Sequence, residues 1–267
     1  MKIYDCCIFY DENLILDMRF NILNDHVDKF VVVEATRDHS GNQKKLNFDI
    51  NNFKKFKDKI IYHVEENIPK EVKNYKKGWS PNFYRENFHR NSISKALDKC
   101  NQNDLILISD ADEIPNFDAI NKNKIKKYAL LKQRNYYYKL NLQSENIWLG
   151  TGVCYKKYLK SPQWLRNKRF MRRGFLRRLL FKTQTIDNGG WHFSFLKTPA
   201  EIIKKMKSYG HGELSGKTDI KQIENSIKLK ELFINPEIKL KKVEIDDTFP
   251  DYIKNNVSTF SSWIDEK

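Results

Sequence analysis

The sequence has few of the features that mark several large classes of protein. Its 267 residues contain only four cysteines, Cys6, Cys7, Cys100 and Cys154, and no Cys-x-x-Cys pair. That pattern argues against a zinc site and a disulfide scaffold, and it favours a reducing compartment. No apolar run approaches the ~20 residues that span a bilayer, and no signal peptide is visible. We therefore expect a soluble cytoplasmic protein, or one bound peripherally to a membrane.

Glycine-rich phosphate loops are missing as well. Neither Gly-x-Gly-x-x-Gly nor a P-loop follows any strand-like segment, so Rossmann dehydrogenases and P-loop NTPases are poorly supported. If a nucleotide binds, a metal ion must hold its phosphates. The hydrophobic content of 40% and aromatic content of 13% indicate a packed globule rather than a disordered chain.

Acidic residues are absent from 146 to 186, within a chain whose formal charge is +15. The basic residues of this stretch are Lys156, Lys157, Lys160, Arg166, Lys168, Arg169, Arg172, Arg173, Arg177, Arg178 and Lys182. Such a stripe suits a nucleic acid, an anionic membrane or a phosphate-bearing substrate. A basic surface with no partner is the alternative interpretation.

Strand-like and helix-like segments alternate in the first half of the chain. Strands are predicted at 3–10, 29–35, 59–64 and 105–108, and helices at 14–23 and 82–100. This order is typical of an α/β fold with a doubly wound, mostly parallel sheet and flanking helices. The second half is less regular: strands are predicted within 128–142, 150–155 and 185–196, and helices at 198–209 and 221–233.

The most informative segment is LILISDADEIP, residues 105–115. Strand alternation places Asp110 and Asp112 on one side at the carboxyl end of a buried strand, with Glu113 beside them. Ligands bind at that end in open α/β sheets, and carboxylate oxygens suit Mg²⁺ or Mn²⁺, which in turn suits a diphosphate. The alternative is a solvated turn that only ends the strand.

Three further clusters carry candidate site residues. His192 follows a Gly-Gly turn and is a candidate third metal ligand, although a structural role is also open. Glu34 and Arg37 end the second predicted strand at the same edge of the sheet. Arg85 and Arg90 lie on the helix that leads to the aspartate strand, so one of them is expected to reach a phosphate or sugar. For Arg85, a solvated helix face is the alternative.

Four motifs in order, IYDCCIFYDENLILDMRFNIL, DKFVVVEATRDHSG, DLILISDADEIP and GGWHFSFLKTPAEI, resemble glycosyltransferase family 17 across most of residues 3–235. The resemblance implies a GT-A fold, a UDP-sugar donor, most typically UDP-N-acetylglucosamine, a divalent metal and inversion at the anomeric carbon. By the same resemblance Asp112, Asp110 and His192 are metal ligands. Asp110, Glu34, Arg37 and Arg90 would contact the donor.

Inverting transfer also needs a base that accepts the proton of the acceptor hydroxyl. Glu213 is the first candidate, because the resembling family carries an acidic residue there. Asp187 and Glu113 are the reserves, and Glu113 braces the metal ligands if it is not the base. His211 either shares the site of Glu213 or has a structural role at a helix end.

No internal repeat or low-complexity linker separates the halves of the chain, so we predict one domain, 1–267. It would comprise a nucleotide-sugar-binding half (1–115), an acceptor and catalytic half (116–235) and a packed C-terminal tail (236–267). The acceptor is expected to be a glycan or lipid-linked glycan in cell-surface polysaccharide, lipopolysaccharide or glycoprotein glycan synthesis. Residues 156–182 would contact the inner face of an anionic membrane. A non-catalytic sugar-nucleotide-binding protein is the main alternative, and nucleic-acid binding is a weaker one because strand-end aspartates repel a polyanion.

Overall fold

The computed structural model describes residues 1–73, 79–172, 183–208 and 218–266, in which strands and helices alternate through the first 110 residues. The strands are β1 (Ile3–Phe9), β2 (Lys29–Ala35), β3 (Ile60–Glu65), β4 (Leu105–Asp110), β5 (Glu113–Pro115), β6 (Tyr128–Tyr137), β7 (Leu142–Tyr155), β8 (Gln184–Ser194), β9 (Glu231–Leu232) and β10 (Asn235–Lys242). The α-helices are α1 (Asn13–Leu23), α2 (Pro81–Asn91), α3 (Ile93–Ala96), α4 (Pro162–Arg166), α5 (Pro199–Ser208), α6 (Ile220–Lys228) and α7 (Asp251–Lys254).

The strands join in the order β3-β2-β1-β4-β7-β6-β8-β5, and β10 pairs with β7 and β9. The first four strands of this order are parallel, and β6 is parallel to β8. Strand β7 runs antiparallel to β4 and β6, and β5 runs antiparallel to β8. The predicted α/β fold with a mostly parallel central sheet is confirmed, and the curled sheet is consistent with a GT-A type of fold.

Both faces of β1, β2 and β4 are buried, which explains why their sequences are continuous apolar runs, whereas β3 is mostly half-buried. In β1, Cys7 and Phe9 pack toward α1, whereas Cys6 and Ile8 pack toward α3 and α4. The connection between β2 and β3 contains a 3₁₀ helix, Ile50–Lys59, whose two phenylalanines enter the core. This double burial fixes the ends of β1, β2 and β4 at one edge.

Two helices are shorter than the sequence predicts. The predicted helix 82–100 breaks at Ser92, whose hydroxyl donates to the carbonyl of His89, and only the short α3 follows. The predicted helix 221–233 ends at Lys228, and the chain then forms β9 and β10. Strand β10 lies mostly in the segment expected to be a packed tail, and it extends the sheet beside β7.

None of the helices in the described ranges combines the length and the apolar character that crossing a bilayer requires.

Candidate active site

The carboxyl ends of β1, β2 and β4 border a cleft. Its lining includes Tyr10 after β1, Arg37 and His39 after β2, and Asp110 and Asp112 at the end of β4. Open α/β sheets bind ligands at this edge because the loops that follow neighbouring strands converge there. The structure thus brings residues from two of the predicted strand-end clusters into one cleft.

The turn after β4 is held by Arg19, a fully buried side chain of α1. Its guanidinium pairs with Asp5 of β1 at 2.5 Å and donates to the backbone carbonyls of Ala111 and Glu113 at 3.1 and 2.8 Å. A buried charge requires such partners, since an unpaired one would be very costly. Arg19 therefore fixes the backbone of the Asp-Ala-Asp motif.

The carboxylate of Asp110 forms ion pairs with two arginines. Arg90 of α2 donates to Oδ1 at 2.8 Å, and Arg166 of α4 donates to Oδ2 at 2.5 Å. Burial alone would raise the pKa of Asp110, but the guanidiniums of Arg166 and Arg90 hold that pKa well below its ordinary value. Asp110 is therefore ionised, and both of its oxygens have cationic partners within the protein.

Glu113 belongs to the same buried network. It pairs with Arg166, accepts the indole N–H of Trp148 at 2.6 Å and accepts the backbone N–H of Asp110 at 3.2 Å. Its side chain has no exposed surface, so it does not reach an acceptor hydroxyl. The structure favours the bracing role of Glu113 over a role as the base.

Asp112 faces His192, at 3.7 Å between Oδ1 and Nε2. The Nδ1 atom of His192 lies 2.8 Å from the amide oxygen of Asn135, whose amide nitrogen donates to the hydroxyl of Tyr137. The oxygen of Asn135 must therefore accept a hydrogen from Nδ1. Burial lowers the pKa of His192, so the ring is neutral and its Nε2 lone pair points toward the carboxylate.

This pair fits a divalent cation. A lone pair and a carboxylate oxygen that face each other without a hydrogen between them repel, and a cation placed between them would convert repulsion into attraction. Metal-binding histidines commonly donate their other ring N–H to a fixed acceptor, as His192 does to Asn135. Burial also raises the pKa of Asp112, and the positive charge of Lys205 does not fully offset this effect.

The ring of His192 is also fixed by stacking. The indole of Trp148 lies parallel to it, with centroids 4.5 Å apart and an interplanar angle of 17°. The guanidinium of Arg169 lies 5.2 Å from the same indole. These contacts hold the imidazole in place without using Nε2.

The sequence model of glycosyltransferase family 17 matches residues 1–233, a range that contains every residue of this cleft. The chain belongs to glycosyltransferase family 17. It is also 25% identical over 223 residues to the β-1,4-mannosyl-glycoprotein 4-β-N-acetylglucosaminyltransferases of Homo sapiens, Rattus norvegicus and Mus musculus. These matches cover 74% of this chain and 41% of each relative, so the chain spans less than half the length of the curated relatives.

The two residues that the family 17 resemblance places beside the nucleotide differ in position. Arg37 lines the cleft and donates to the carbonyl of Gly41 at 3.2 Å. Glu34 is fully buried and accepts hydrogen bonds from Lys44, from the backbone of the following loop and from Tyr62. Glu34 therefore shapes the loop after β2, and its carboxylate has no exposed surface with which to contact a donor.

The candidate bases are not brought to the cleft in the described part of the chain. Asp187 lies five residues before His192 on β8, within a register shift between Ile186 and Gly190, and it does not line the cleft. Its side chain is 77% exposed and pairs with Lys132. Glu213 and His211 fall outside the described residues. In the ranges that are described, no group of three or more His, Cys, Asp or Glu side chains is placed to hold a metal.

The basic stretch is divided between the interior and the surface. Arg166 is buried in the site, and Lys168 is buried with its ammonium 4.3 Å from the ring centroid of Trp164. Lys157 and Lys160 are exposed, and residues 173–182 lie outside the described ranges. Part of the stripe therefore stabilises the fold, and its contact with an anionic membrane stays a prediction.

For most of the side chains that surround the aspartates, the neighbouring sequence did not indicate a place in the site. Arg19, Asn135, Trp148, Arg166 and Lys205 all contact or support the aspartates from remote segments. Arginine within a basic stripe looks like a surface residue, and asparagine within a strand looks like an edge residue. Only the buried apolar context of Arg19, inside LILDMRFNIL, hinted at a paired charge.

Proposed function

We propose that this chain is a metal-dependent inverting glycosyltransferase that moves N-acetylglucosamine from UDP-N-acetylglucosamine to a glycan hydroxyl. The opposed pair of Asp112 and His192, in a cleft at the carboxyl edge of the sheet, carries this proposal. Membership of family 17 and the N-acetylglucosaminyltransferase activity named for the three relatives support it. A glycan or lipid-linked glycan is the proposed acceptor class.

The proposed reaction transfers one sugar and releases one proton. The bond between the anomeric carbon and the β-phosphate oxygen breaks, and its electron pair leaves with UDP. A new bond forms from the acceptor oxygen to the opposite face of that carbon, and the hydroxyl proton passes to a base. The products are the extended glycan, UDP and one proton.

The proposed divalent ion would be held by Asp112 and His192, with the diphosphate and water supplying its other ligands. When bound, the ion neutralises charge that develops on the leaving diphosphate. Asp110 keeps 18% of its side chain exposed at the cleft. Because Arg90 and Arg166 already pair with its oxygens, it is suited to contact through water rather than direct ligation.

The base of the proposed reaction is still Glu213, which follows α5 in the chain. Asp187 is a weaker candidate because of its exposed position on the far part of β8. Replacement of each carboxylate by its amide, with donor binding and glycan transfer measured separately, distinguishes them: loss of the base removes transfer while donor binding persists.

The decisive experiment is a screen of nucleotide sugars with Mn²⁺, in which UDP release and Mn²⁺ binding are measured for the wild type and Asp112→Ala. The wild type is expected to release UDP from at least one donor, and the variant to lose both release and Mn²⁺ binding. Asp118→Ala is the control, because Asp118 is exposed six residues further along the chain. Turnover of no donor by the wild type, or a variant equal to it in both measurements, contradicts the proposal.

A further inference from the structure

Lys205 of α5 brings a positive charge into the cleft from the far end of the sequence. Its Nζ atom lies 3.6 Å from Asp112 Oδ2 and 3.4 Å from Glu12 Oε1. The residue is 8% exposed, and it lines the cleft together with both carboxylates. An ammonium group is thus held beside Asp112, on the carboxylate oxygen other than the one that faces His192.

Glu12 is fixed in its place. Its Oε2 atom accepts the backbone N–H groups of Tyr10 and Asp11 at 3.0 and 3.1 Å, directly after β1. Burial alone would raise the pKa of Glu12, but Lys205 and Lys197 lower it below its ordinary value. Glu12 is therefore an ionised, rigid anchor for the ammonium of Lys205.

The helix that carries Lys205 is attached to two loops that border the cleft. Lys197, just before α5, pairs with Asp11 of the loop after β1 at 2.6 Å. Near the other end of α5, the hydroxyl of Ser40 donates to the carbonyl of Lys207 at 2.9 Å. These contacts aim Lys205 at the cleft and leave only its flexible side chain to adjust.

The ion pairs of Lys205 are loose compared with those of the arginines. Distances of 3.4 and 3.6 Å exceed the ~2.7–2.9 Å of a charge-assisted hydrogen bond, whereas Arg90 and Arg166 hold Asp110 at 2.8 and 2.5 Å. A lysine ammonium on a four-carbon stem reorients readily. An anion that enters the cleft beside Asp112 would therefore lie within reach of the Lys205 ammonium.

We propose that Lys205 contacts the diphosphate of the donor and stabilises the leaving group, and that Glu12 is its positioning residue. This inference rests on the proposed function. When the bond between the anomeric carbon and the phosphate oxygen breaks, the electron pair stays on the diphosphate. Lys205 remains protonated and donates a hydrogen bond to a phosphate oxygen, so that its charge adds to that of the cation held by Asp112 and His192.

Binding is tested by isothermal titration of Lys205→Gln with UDP, inorganic pyrophosphate and uridine, each with and without Mn²⁺. We expect affinity for UDP and pyrophosphate to fall ~10-fold, the loss of one charge-assisted hydrogen bond, in both conditions. Affinity for uridine, which has no phosphate, is expected to stay unchanged. Lys204→Gln is the matched control, because Lys204 is exposed on the neighbouring position of α5.

Turnover adds a second measurement. Removal of one donor that stabilises developing charge lowers kcat by ~10²–10³-fold, so Lys205→Gln is expected in that range. Lys205→Arg keeps the pairing with Glu12 but displaces the donor atoms, so it should retain most of the pyrophosphate affinity with a reduced kcat. The double variant with Glu12→Gln is expected to lose no more than Lys205→Gln alone, because both act through one ammonium.

The outcomes separate this inference from the proposed function. If the wild type binds UDP and turns over a donor while Lys205→Gln and Lys205→Arg match it in both, Lys205 has no such role. A gain of affinity in Lys205→Gln, as expected if the ammonium blocks the site, also overturns the inference. A wild type that neither binds UDP nor turns over any donor overturns the proposed function. Thermal unfolding of each variant confirms that the comparison is between folded proteins.

Discussion

The cluster at the end of β4 has two sides that differ in how their carboxylates are paired. On the locked side, Asp110 and Glu113 are held by Arg90 and Arg166 through short, buried ion pairs. On the open side, the carboxylate of Asp112 lies 3.6 Å from the ammonium of Lys205 and 3.7 Å from the imidazole of His192. Three carboxylates within four residues thus divide into a tightly paired set, Asp110 and Glu113, and a more loosely paired one, Asp112.

The difference follows from the number of buried cations that each side receives. Desolvation acts on both Asp110 and Asp112, but among the described residues the guanidiniums of Arg166 and Arg90 pair with Asp110 and not with Asp112. Burial acts to raise both pKa values. At Asp110 the guanidiniums outweigh burial and the pKa is lowered, whereas at Asp112 burial prevails and the pKa is raised. A carboxylate left short of positive charge inside a cleft is suited to receive a cation with its ligand.

The largest expected effect is on stability, from the locked side. Arg166→Met leaves Asp110 and Glu113 without their shared partner, so the free energy of unfolding should fall by about 3–5 kcal/mol, measured by urea denaturation. Lys160→Met, an exposed position of the same basic stretch, should change it by less than about 1 kcal/mol. Equal effects of the two substitutions would mean that the network is not a structural lock.

On the open side the effect should fall on activity instead. Asp112→Asn is expected to lower turnover by ~10³-fold, since a cation at a developing charge contributes several kcal/mol. Its unfolding free energy should stay level or rise, because the folded state already disfavours the ionised form. Asp110→Asn makes the matched comparison: it removes the partner of two buried guanidiniums and should cost about 3 kcal/mol of stability. If Asp112→Asn were less stable than Asp110→Asn, the division into a locked side and an open side would be refuted.

A smaller effect is expected from the group that orients the imidazole. Asn135→Ala removes the acceptor for Nδ1–H of His192, and such a loss typically lowers metal affinity by ~10–100-fold. Mn²⁺ titration followed by calorimetry measures it, with Asn188→Ala outside the cleft as the control. Unchanged Mn²⁺ affinity in Asn135→Ala would show that the pair of Asp112 and His192 does not bind the ion.

The smallest expected effect concerns pH and two histidines beside the cleft, outside both sides of the cluster. His89 Nε2 lies 3.1 Å from the carbonyl of Val33, and its Nδ1 lies 3.3 Å from His39 Nε2. Burial lowers the pKa of both rings, and His39 adds to the lowering at His89. The charged groups that act on the pair are Asp38, Lys44, Glu86, Arg90 and Asp110.

Because the folded-state pKa values lie below the unfolded value of about 6.5, the unfolded chain binds more protons below that pH. Stability from the neutral pair is therefore fully present above about pH 6.5 and is lost as the pH falls toward the folded values. Denaturant titrations between pH 5 and 7, as an assay range chosen around that value, should show a shallower slope in His89→Gln. The exposed His26→Gln should keep the wild-type slope, and an unchanged slope in His89→Gln would exclude the pair as its origin.

The sequence determined the parallel part of the fold because double burial leaves a local trace. The apolar runs of β1, β2 and β4 and the helical spacing of α1 each predicted an element close to its observed bounds. The aspartates at the end of β4 followed from the same logic, because a strand end in such a sheet faces the ligand edge. These segments lie within the range that matches family 17.

Only the tertiary structure decided which aspartate is locked and which is open. The arginines that occupy Asp110 lie 20 and 56 residues away in the chain, and Lys205 reaches Asp112 from a helix beyond β8. Hydrophobic periodicity reports which face of an element is buried, but it does not report which distant side chain meets it. Asp110 and Asp112 are the same residue type and lie two positions apart in one motif. Pairing with distant side chains is therefore what makes one of them locked and the other open.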